Sequence, residues 1–470
     1  MKKNLQKLIA CGLVTVMVAG ALTGCGSSKK NNAAETNKQD NSATAAATAT
    51  PGEKDTDAGK AKPFEGVKLK YAQTQTASTG EEQQKLIQLV KDETGIDIEF
   101  YIIPNSDSGE VDKTLVSLMN GDEIDIIYNT KPGLKTFYNA GVLTDLSELA
   151  KTDNYDMASK FGDYLPVFDN AVYGLPAFSD IWITLYNKKI FDDAGVPYPT
   201  AKDWTWEKYT ETAKSLTNTD KGIYGSLMLD YDSYNYMYAL QKGWNPYKAD
   251  NTANFDDPLF KESLKFYYGL GNDEKVQPSI LDFKASGMPW SSFFTTGQYG
   301  MFVCGGWTTS VLNNAKYPRD WKVGLLPMPY PEGQTASTLT VPGCYAIPTT
   351  SKNKEAAFAA VKCIAENQYK LGFGRVPARV DLTNDEINDY IENSLAKPFA
   401  ADGLTVEDFK AAWFDPTRKA LSEKIIGPGS SGISQVVIEE GQLYGQGGED
   451  IDAAVKNIQD KANAAIEADK

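Results

Sequence analysis

The stretch from Gly66 to Asn129 keeps switching hydrophobic period, and that switching restricts the folds open to the chain. "GVKLKYAQ" alternates and then turns polar, as a strand does. "EEQQKLIQLVKDETG" sets Leu86, Leu89 and Val90 at helical spacing and stops at Gly95. "IDIEFYIIP" is again strand-like, "VDKTLVSLMNGD" gathers Val111, Leu115, Leu118 and Met119 on one helical face, and "IDIIYN" is a third strand opening into a loop. "GLKTFYNAGVLTDLSELA" continues as helix and turn. This β-α-β-α-β order predicts an α/β lobe around a largely parallel sheet.

The theme recurs downstream with larger insertions. "VYGLPAFSDIWITLYNKKIFDDAGV" reads as strand then helix, and "WTWEKYTETAKSLTN" as a helix. "GIYGSLMLD", "GQYGMFVCGGW" and "KVGLLPMPYP" read as strands, "KEAAFAAVKCIAEN" and "DIDAAVKNIQDKANAAIEA" as helices. No repeat of fixed period is present. About 400 residues follow Phe64, too many for one ordinary core and suited to two domains.

The first 62 residues are of another kind. Lys2, Lys3 and Lys7 precede an apolar run of fourteen residues, Leu8 to Ala21. A membrane-spanning helix needs about 20 apolar residues, so the run fits a secretory signal instead. Leu22-Thr23-Gly24-Cys25 resembles the lipobox of bacterial lipoproteins, in which cleavage leaves the cysteine first and its thiol takes a diacylglycerol. Residues 1–24 are then a lipoprotein signal peptide; the competing reading is an ordinary signal peptide with an incidental cysteine. Two acyl chains give stable anchoring where one does not. Residues 26–62 contain no aromatic, Leu, Ile, Val or Met. Such a segment cannot bury enough apolar surface to offset its ordering entropy, so 25–62 is expected to be a disordered, lipid-anchored tether. Its end-to-end distance would be on the order of 30 Å.

Charge and composition exclude several kinds of partner and chemistry. The chain carries -15, and losing the three leader lysines takes it to -18, which argues against nucleic acid or an anionic lipid surface. There is no histidine, which removes Ser-His-Asp and Cys-His catalysis as usually built and the commonest zinc ligand. Cys304, Cys344 and Cys363 sit in apolar contexts and read as small buried hydrophobes, with a three-cysteine metal site the weaker alternative. No metal and no cofactor are expected.

The motif order then resembles the extracellular solute-binding proteins of ABC importers, in the sugar-binding group that includes maltose-binding protein. The resemblance runs over nearly all of residues 64 to 470 and rests on blocks in the right sequence. "LVSLMNGDEIDIIYN" looks like the family's helix, Gly-x-x-Pro-Asp-Ile strand and binding loop, with Glu123 or Ile124 where Pro is usual. "AGVLTDLSELA", "VYGLPAFSDIWITLYNKKIF" with "GVPYPTAKDWTWEKYTETAKSLT", "FFTTGQYGMFVCGGW", "VGLLPMPYP" and "VPGCYAIPTTSKNKEAAFAAVKCIA" follow. The resemblance implies a two-lobed α/β fold that closes like a hinge on a carbohydrate ligand and presents it to permease subunits. It implies no catalysis, a monomer, and a place on the outer face of the bacterial membrane, held only through lipidated Cys25. The lobes would be 64–176 plus 330–372 and 177–329 plus 373–470, with Pro176 and Pro327-Met328-Pro329 at the crossings.

A sugar stacks its C–H face on an aromatic plate and hydrogen-bonds its hydroxyls to fixed donors and acceptors. Strand ends and loops that mix aromatics with polar groups are therefore the candidates. Trp307 follows Gly305 and Gly306 at the end of an apolar strand, and the matching family aromatic stacks on sugar; the alternative is a core tryptophan. Asp180 and Trp182 follow the first crossing and are equally readable as a surface acid and a packed ring. Tyr128 and Asn129 end the "IDIIYN" strand, where the family commonly makes a ligand contact. Tyr231, Asp232 and Tyr234 follow "SLMLD", and one or two of them are expected to face the cleft. Weaker candidates are Gln73 and Gln75, Gly343 and Tyr345 in a turn with an unusual Cys344, and Arg375 and Arg379, whose alternative is a structural ion pair. Trp204 and Trp206 are expected in the core, and Trp244 and Trp413 are unassigned.

The aromatic content, 25 Tyr and 8 Trp, favours an oligosaccharide over a monosaccharide. A binding protein for another solute such as a peptide, a secreted glycoside hydrolase and a surface glycan adhesin remain as alternatives. A hydrolase would need two carboxylates about 5 to 9 Å apart across a scissile bond, and no short motif pairs them.

Overall fold

The computed structural model describes residues 62–104, 110–228, 230–289, 291–312, 317–372 and 376–469. The leader, Cys25 and all but the last residue of the expected tether lie outside them, as does Arg375.

Strands β1 (Lys68–Thr74) and β2 (Asp97–Ile103) pair in parallel, and β1 also bridges in parallel to Ile126, just before β3 (Ile127–Thr130). The helix between β1 and β2, Glu81–Thr94, buries Leu86 and Val90 and ends at Gly95, whose φ of 83° is the left-handed cap expected there. Helix Glu110–Met119 follows β2 and buries Leu118, while Met119, expected on the same face, is 68% exposed. Alternation along β1 divides its side chains between two packing layers. Leu69 and Tyr71 join Ile96, Ile98 and the helix of residues 354–367; Ala72 joins Ile103, Ile124 and Ile127 on the other side.

Apart from a small antiparallel pair, Val167–Phe168 with Ala171–Val172, the remaining strands are β4 (Leu175–Asn187), β5 (Tyr224–Leu227), β6 (Tyr299–Gly305), β7 (Val323–Pro327), β8 (Ser337–Ala346) and β9 (Lys419–Ser422). With β3 they form a seven-stranded sheet. The expectation of a largely parallel sheet holds for β1 and β2 and fails here. β4 runs antiparallel to β6, β7 and β8, and β3 antiparallel to β8, whereas β5–β6 and β8–β9 are parallel. Runs such as "WITLYN" and "MFVCG" are buried throughout because both faces are covered, and continuous burial carries no record of strand direction.

β4 and β8 pass from one hydrophobic core to another. Leu175, Ala177 and Phe178 on β4 belong with the β1–β2 core, and Ile181 to Leu185 belong with the larger core. On β8, Leu339 packs in the larger core and Tyr345 in the smaller. A third segment passes alongside: Val376 packs in the larger core, Ala378 in the smaller, and Ser179 N–H donates to Val376 O at 2.9 Å. At the shared crossing the Ser179 and Thr340 hydroxyls hydrogen-bond in a buried position. Pro176 lies on β4, between Leu175 and Ala177 of the smaller core. Met328 is fully buried in the larger core, and Thr184 donates to Pro327 O at 3.0 Å.

Candidate functional site

In open α/β sheets, ligands gather outside the carboxyl ends of the parallel strands. Here Gln73 and Thr74 end β1, Tyr128 to Thr130 end β3, Tyr231 follows β5, and Gly305 ends β6 with Gly306 and Trp307 directly after it. β8 and β4 link these ends: Tyr345 and Cys344 pair with Tyr128 and Asn129, and Trp182 pairs with Gly305.

On the smaller-core side the wall is aromatic. Tyr128 is 37% exposed and stacks on Phe178, with centroids 5.9 Å apart and an interplanar angle of 24°. Tyr345 lies behind at 5.3 Å and leads to Tyr71 at 5.8 Å. Gly343 makes this stack possible, because a Cβ there would stand 2.4 Å from Phe178 Cζ and 2.9 Å from Tyr128 Oη. Gln73 is half-buried; its amide donates to Tyr71 Oη at 3.0 Å and its carbonyl accepts Thr74 N–H at 3.0 Å. Asn129 is occupied locally. Its Oδ1 accepts Thr130 N–H at 2.8 Å and lies over Gly133, where a Cβ would be 2.0 Å away, so it shapes the start of helix Lys131–Asn139. Gln75 is exposed in the first turn of the next short helix, Gln75–Ser78.

At the passage itself, Asp180 is the one residue of β4 that is not fully buried. It sits opposite Val341 of β8.

On the larger-core side Trp307 is half-buried, folded back against Gly305. Tyr231 is 37% exposed and lies on Tyr234, centroids 6.2 Å apart at 28°. Two candidates are corrected here. Tyr234 is fully buried, donates to Val303 O at 2.5 Å and packs on Trp182 at 5.2 Å. Trp182 is 2% exposed and its indole N–H donates to Glu423 Oε2 at 2.8 Å. Both back the wall from behind. The helix Asp232–Gln241 turns most of the Tyr-rich stretch inward, and one-dimensional pattern could not reveal which tyrosine precedes that turn.

Arg379 is the third correction. Its guanidinium forks onto Asp381, with Nη2 at 2.8 Å from Oδ2, beside Lys160 and Glu366. It is the structural ion pair that was the alternative reading. Trp204 and Trp206 are core rings as expected, donating to Thr184 and Gln241.

Sequence reasoning missed Glu423 and Lys424. Lys424 Nζ lies 2.6 Å from Asp232 Oδ1, 3.3 Å from Glu423 Oε1 and 5.6 Å from the Tyr231 ring centroid. Burial alone would lower the Lys424 pKa, but the two carboxylates outweigh it and raise it. Burial raises the Tyr231 phenol, and Lys424 opposes that. "LSEKII" carries no aromatic or glycine signal that would have singled out these residues. Trp413 was unassigned; it is buried, with Nε1 where a Cβ on Gly306 would meet it at 2.9 Å.

A separate cavity of about 380 Å³ is lined by Trp206, Tyr238, Phe266, Glu207 and Asp273 and shares no residue with these walls. Among the described residues no group of three or more Cys, Asp or Glu is placed to hold a metal ion, and no helix is long and apolar enough to cross a membrane.

A maltooligosaccharide ABC transporter solute-binding lipoprotein of Streptococcus pneumoniae is 22% identical over 338 residues, covering 68% of this chain and 75% of that one. A binding protein of Brucella abortus is 23% identical over 243 residues, 50% of this chain; the match spans only 57% of that relative's length. An ABC substrate-binding protein of Listeria monocytogenes, solved in complex with cycloalternan, superposes with a TM-score of 0.70 at 22% identity, covering 85% of this chain and 99% of that one. The model of the bacterial extracellular solute-binding proteins matches residues 76–371, more than half the chain and the whole stretch through both passing strands. The chain therefore belongs to the bacterial extracellular solute-binding protein family.

Proposed function

We propose that this chain captures a carbohydrate, an oligosaccharide rather than a monosaccharide, between its two lobes and delivers it to the permease subunits of an ABC importer. The observation that carries the reading is the pair of aromatic walls at the passage: Tyr128 on Phe178 on one side, Trp307 and Tyr231 on the other. Aromatic plates beside fixed polar groups are what a sugar requires. The relatives support it: one is named for maltooligosaccharides and one holds cycloalternan. The lobes on this reading are built on the two sides of the passage, 64–178 with 344–372 and 181–339 with 382–469. That moves the second boundary from 330 into β8. Cys25 carries the lipid that holds the chain, as a monomer, at the outer face of the membrane. The protein performs no chemistry; closure alone signals occupancy. Micromolar affinity corresponds to about -8 kcal/mol, within reach of two stacked rings and several paired hydroxyls.

A thermal-shift screen against mono-, di- and oligosaccharides tests this. A ligand bound only by the native state adds RT ln(1 + [L]/Kd), about 2.7 kcal/mol at a hundredfold excess over Kd. A shift with one sugar class, and that sugar recovered intact by chromatography, supports the reading. Cleavage products would make the chain a hydrolase. Silence across the panel overturns the carbohydrate assignment, and peptides become the next class to screen.

A further inference from the structure

We propose that Lys424 is a hydroxyl-binding residue of the sugar site, donating to a neutral saccharide beside the face of Tyr231; this rests on the carbohydrate reading above. Lys424 follows β9, whose parallel pairing with β8 is extended by Glu423 N–H donating to Thr340 O at 3.0 Å. Its backbone is thereby fixed to a strand that passes between the lobes. Its ammonium is fixed as well. It donates to Asp232 Oδ1 at 2.6 Å and pairs with Glu423 Oε1 at 3.3 Å. Those carboxylates are themselves held: Asp232 Oδ2 accepts from Ser434 at 2.7 Å and Tyr236 at 3.0 Å, and Glu423 Oε2 from Trp182 at 2.8 Å.

The three charged groups differ in exposure. The Asp232 and Glu423 side chains are 4% and 14% exposed, while Lys424 is 35% exposed. Among the described residues the ammonium has no third acceptor. Donor capacity therefore remains on the partly exposed ammonium, which lies 5.6 Å from the centroid of the exposed Tyr231 ring. A surface lysine would lose rotamer freedom on binding; this one has already lost it. Two carboxylates against one ammonium leave the cluster net negative. The remaining donor capacity thus suits a hydroxyl oxygen and disfavours a carboxylate or phosphate, which fits a neutral sugar rather than an acidic one.

The test is isothermal titration of the full-length protein with maltotriose, cellotriose, xylotriose, mannotriose and trigalacturonate. The variants are Lys424→Met, Lys424→Arg, and the double Lys424→Met/Asp232→Asn, which removes the more deeply buried of the two carboxylate charges left unpaired and keeps an amide acceptor for Ser434. The expected result is a neutral trisaccharide bound by wild type, weakened about tenfold or more by both Met variants and largely restored by Arg. The double variant should show wild-type near-UV circular dichroism. Full affinity in the folded double variant overturns the Lys424 assignment and leaves the receptor reading standing. Tighter binding of trigalacturonate than of any neutral sugar also overturns it. No binding by wild type overturns the receptor reading and this inference together.

Discussion

The indole of Trp307 lies directly over Gly305: a methyl group at 305 would stand 2.5 Å from Nε1 and 2.6 Å from Cδ1. Gly306 is equally confined, between Trp413 Nε1 at 2.9 Å and Ile181 O at 3.0 Å from where its Cβ would be. The Gly-Gly pair is therefore the seat of the ring. Gly305 has a φ of -65°, which alanine adopts freely, so the only obstacle to a side chain is the indole itself.

Gly305→Ala should accordingly shift Trp307 without unfolding the chain. Overpacking of this kind costs about 1–3 kcal/mol. The expected outcome is a tenfold or greater loss of sugar affinity, about 1.4 kcal/mol, with a cooperative melt retained. Trp307→Ala should lose at least as much. Wild-type affinity in Gly305→Ala would mean that the position of the ring does not matter to binding, and Trp307 would leave the wall.

The same residues show what the sequence discloses and what it withholds. The glycine doublet before Trp307, the polar end of "IDIIYN" and the acid at 180 were legible because each breaks the pattern of the strand it ends or interrupts. Trp182 and Tyr234 were misplaced because an indole N–H or phenol OH buried against one acceptor reads, residue by residue, like one offered to a ligand. Only the partners decide, Glu423 for Trp182 and Val303 O for Tyr234. Lys424 could not be found at all: its acceptor Asp232 is 192 residues away, and no local period encodes that. The α/β class followed from period switching, but antiparallel pairing in the larger sheet did not, since fully buried strands look alike in either direction.

Arg319 and Asp402 form a forked pair at 2.5 and 2.7 Å with side chains 13% and 2% exposed, and Asp402 also accepts Val323 N–H at 2.8 Å. This pair ties β7 to the residues before Gly403. Asp402→Ala should cost about 3–5 kcal/mol because the guanidinium stays buried without its partner. Arg319→Met/Asp402→Leu should recover much of that. Urea unfolding of the three proteins checks the order; a milder effect in Asp402→Ala than in the double variant would contradict it.

Cys304, Cys344 and Cys363 are buried, at 1%, 0% and 8% exposure, with no disulfide among them. Burial pushes the Cys304 and Cys363 thiols up to about 12 and Cys344 upward as well. Thiolate is the reactive form, so native protein should label slowly at these sites with iodoacetamide at neutral pH. Labelling should become complete in denaturant. Rapid native labelling at any of the three, located by peptide mapping, would show that the core opens there.

Cys25→Ser tests the proposed anchor. A serine cannot form the thioether to diacylglycerol, so the variant should leave the membrane fraction and appear in the medium or periplasm of the expressing cell. Because Cys25 lies far in sequence from both aromatic walls, the released protein should bind sugar as wild type does. Retention in the membrane fraction after a carbonate wash would show that something other than this lipid holds the chain.

The Arg379–Asp381 fork sets a pH dependence. Burial alone would push the Asp381 carboxyl up, but hydrogen bonds and charge from Arg379, with Lys160 3.6 Å away, outweigh it and hold its pKa below the ordinary 3.8. A carboxyl that ionises more readily in the folded chain than in the unfolded one stabilises the fold at every pH above its unfolded value. That contribution disappears as pH falls through the folded value. Glu386, held down by the Thr383 backbone and hydroxyl, acts in the same direction, so the wild-type curve alone would not isolate Asp381. The difference between wild type and Asp381→Asn does. That difference should be flat from neutral pH to about 5 and shrink below about 4. The segment concerned runs beside the passing strands, with Val380 N–H donating to Lys160 O at 2.8 Å, so its loosening in acid should also appear as faster hydrogen exchange around residues 376–382. A difference that grows as pH falls would mean that Asp381 is harder to ionise in the fold than outside it, and the fork would then be a net cost to stability.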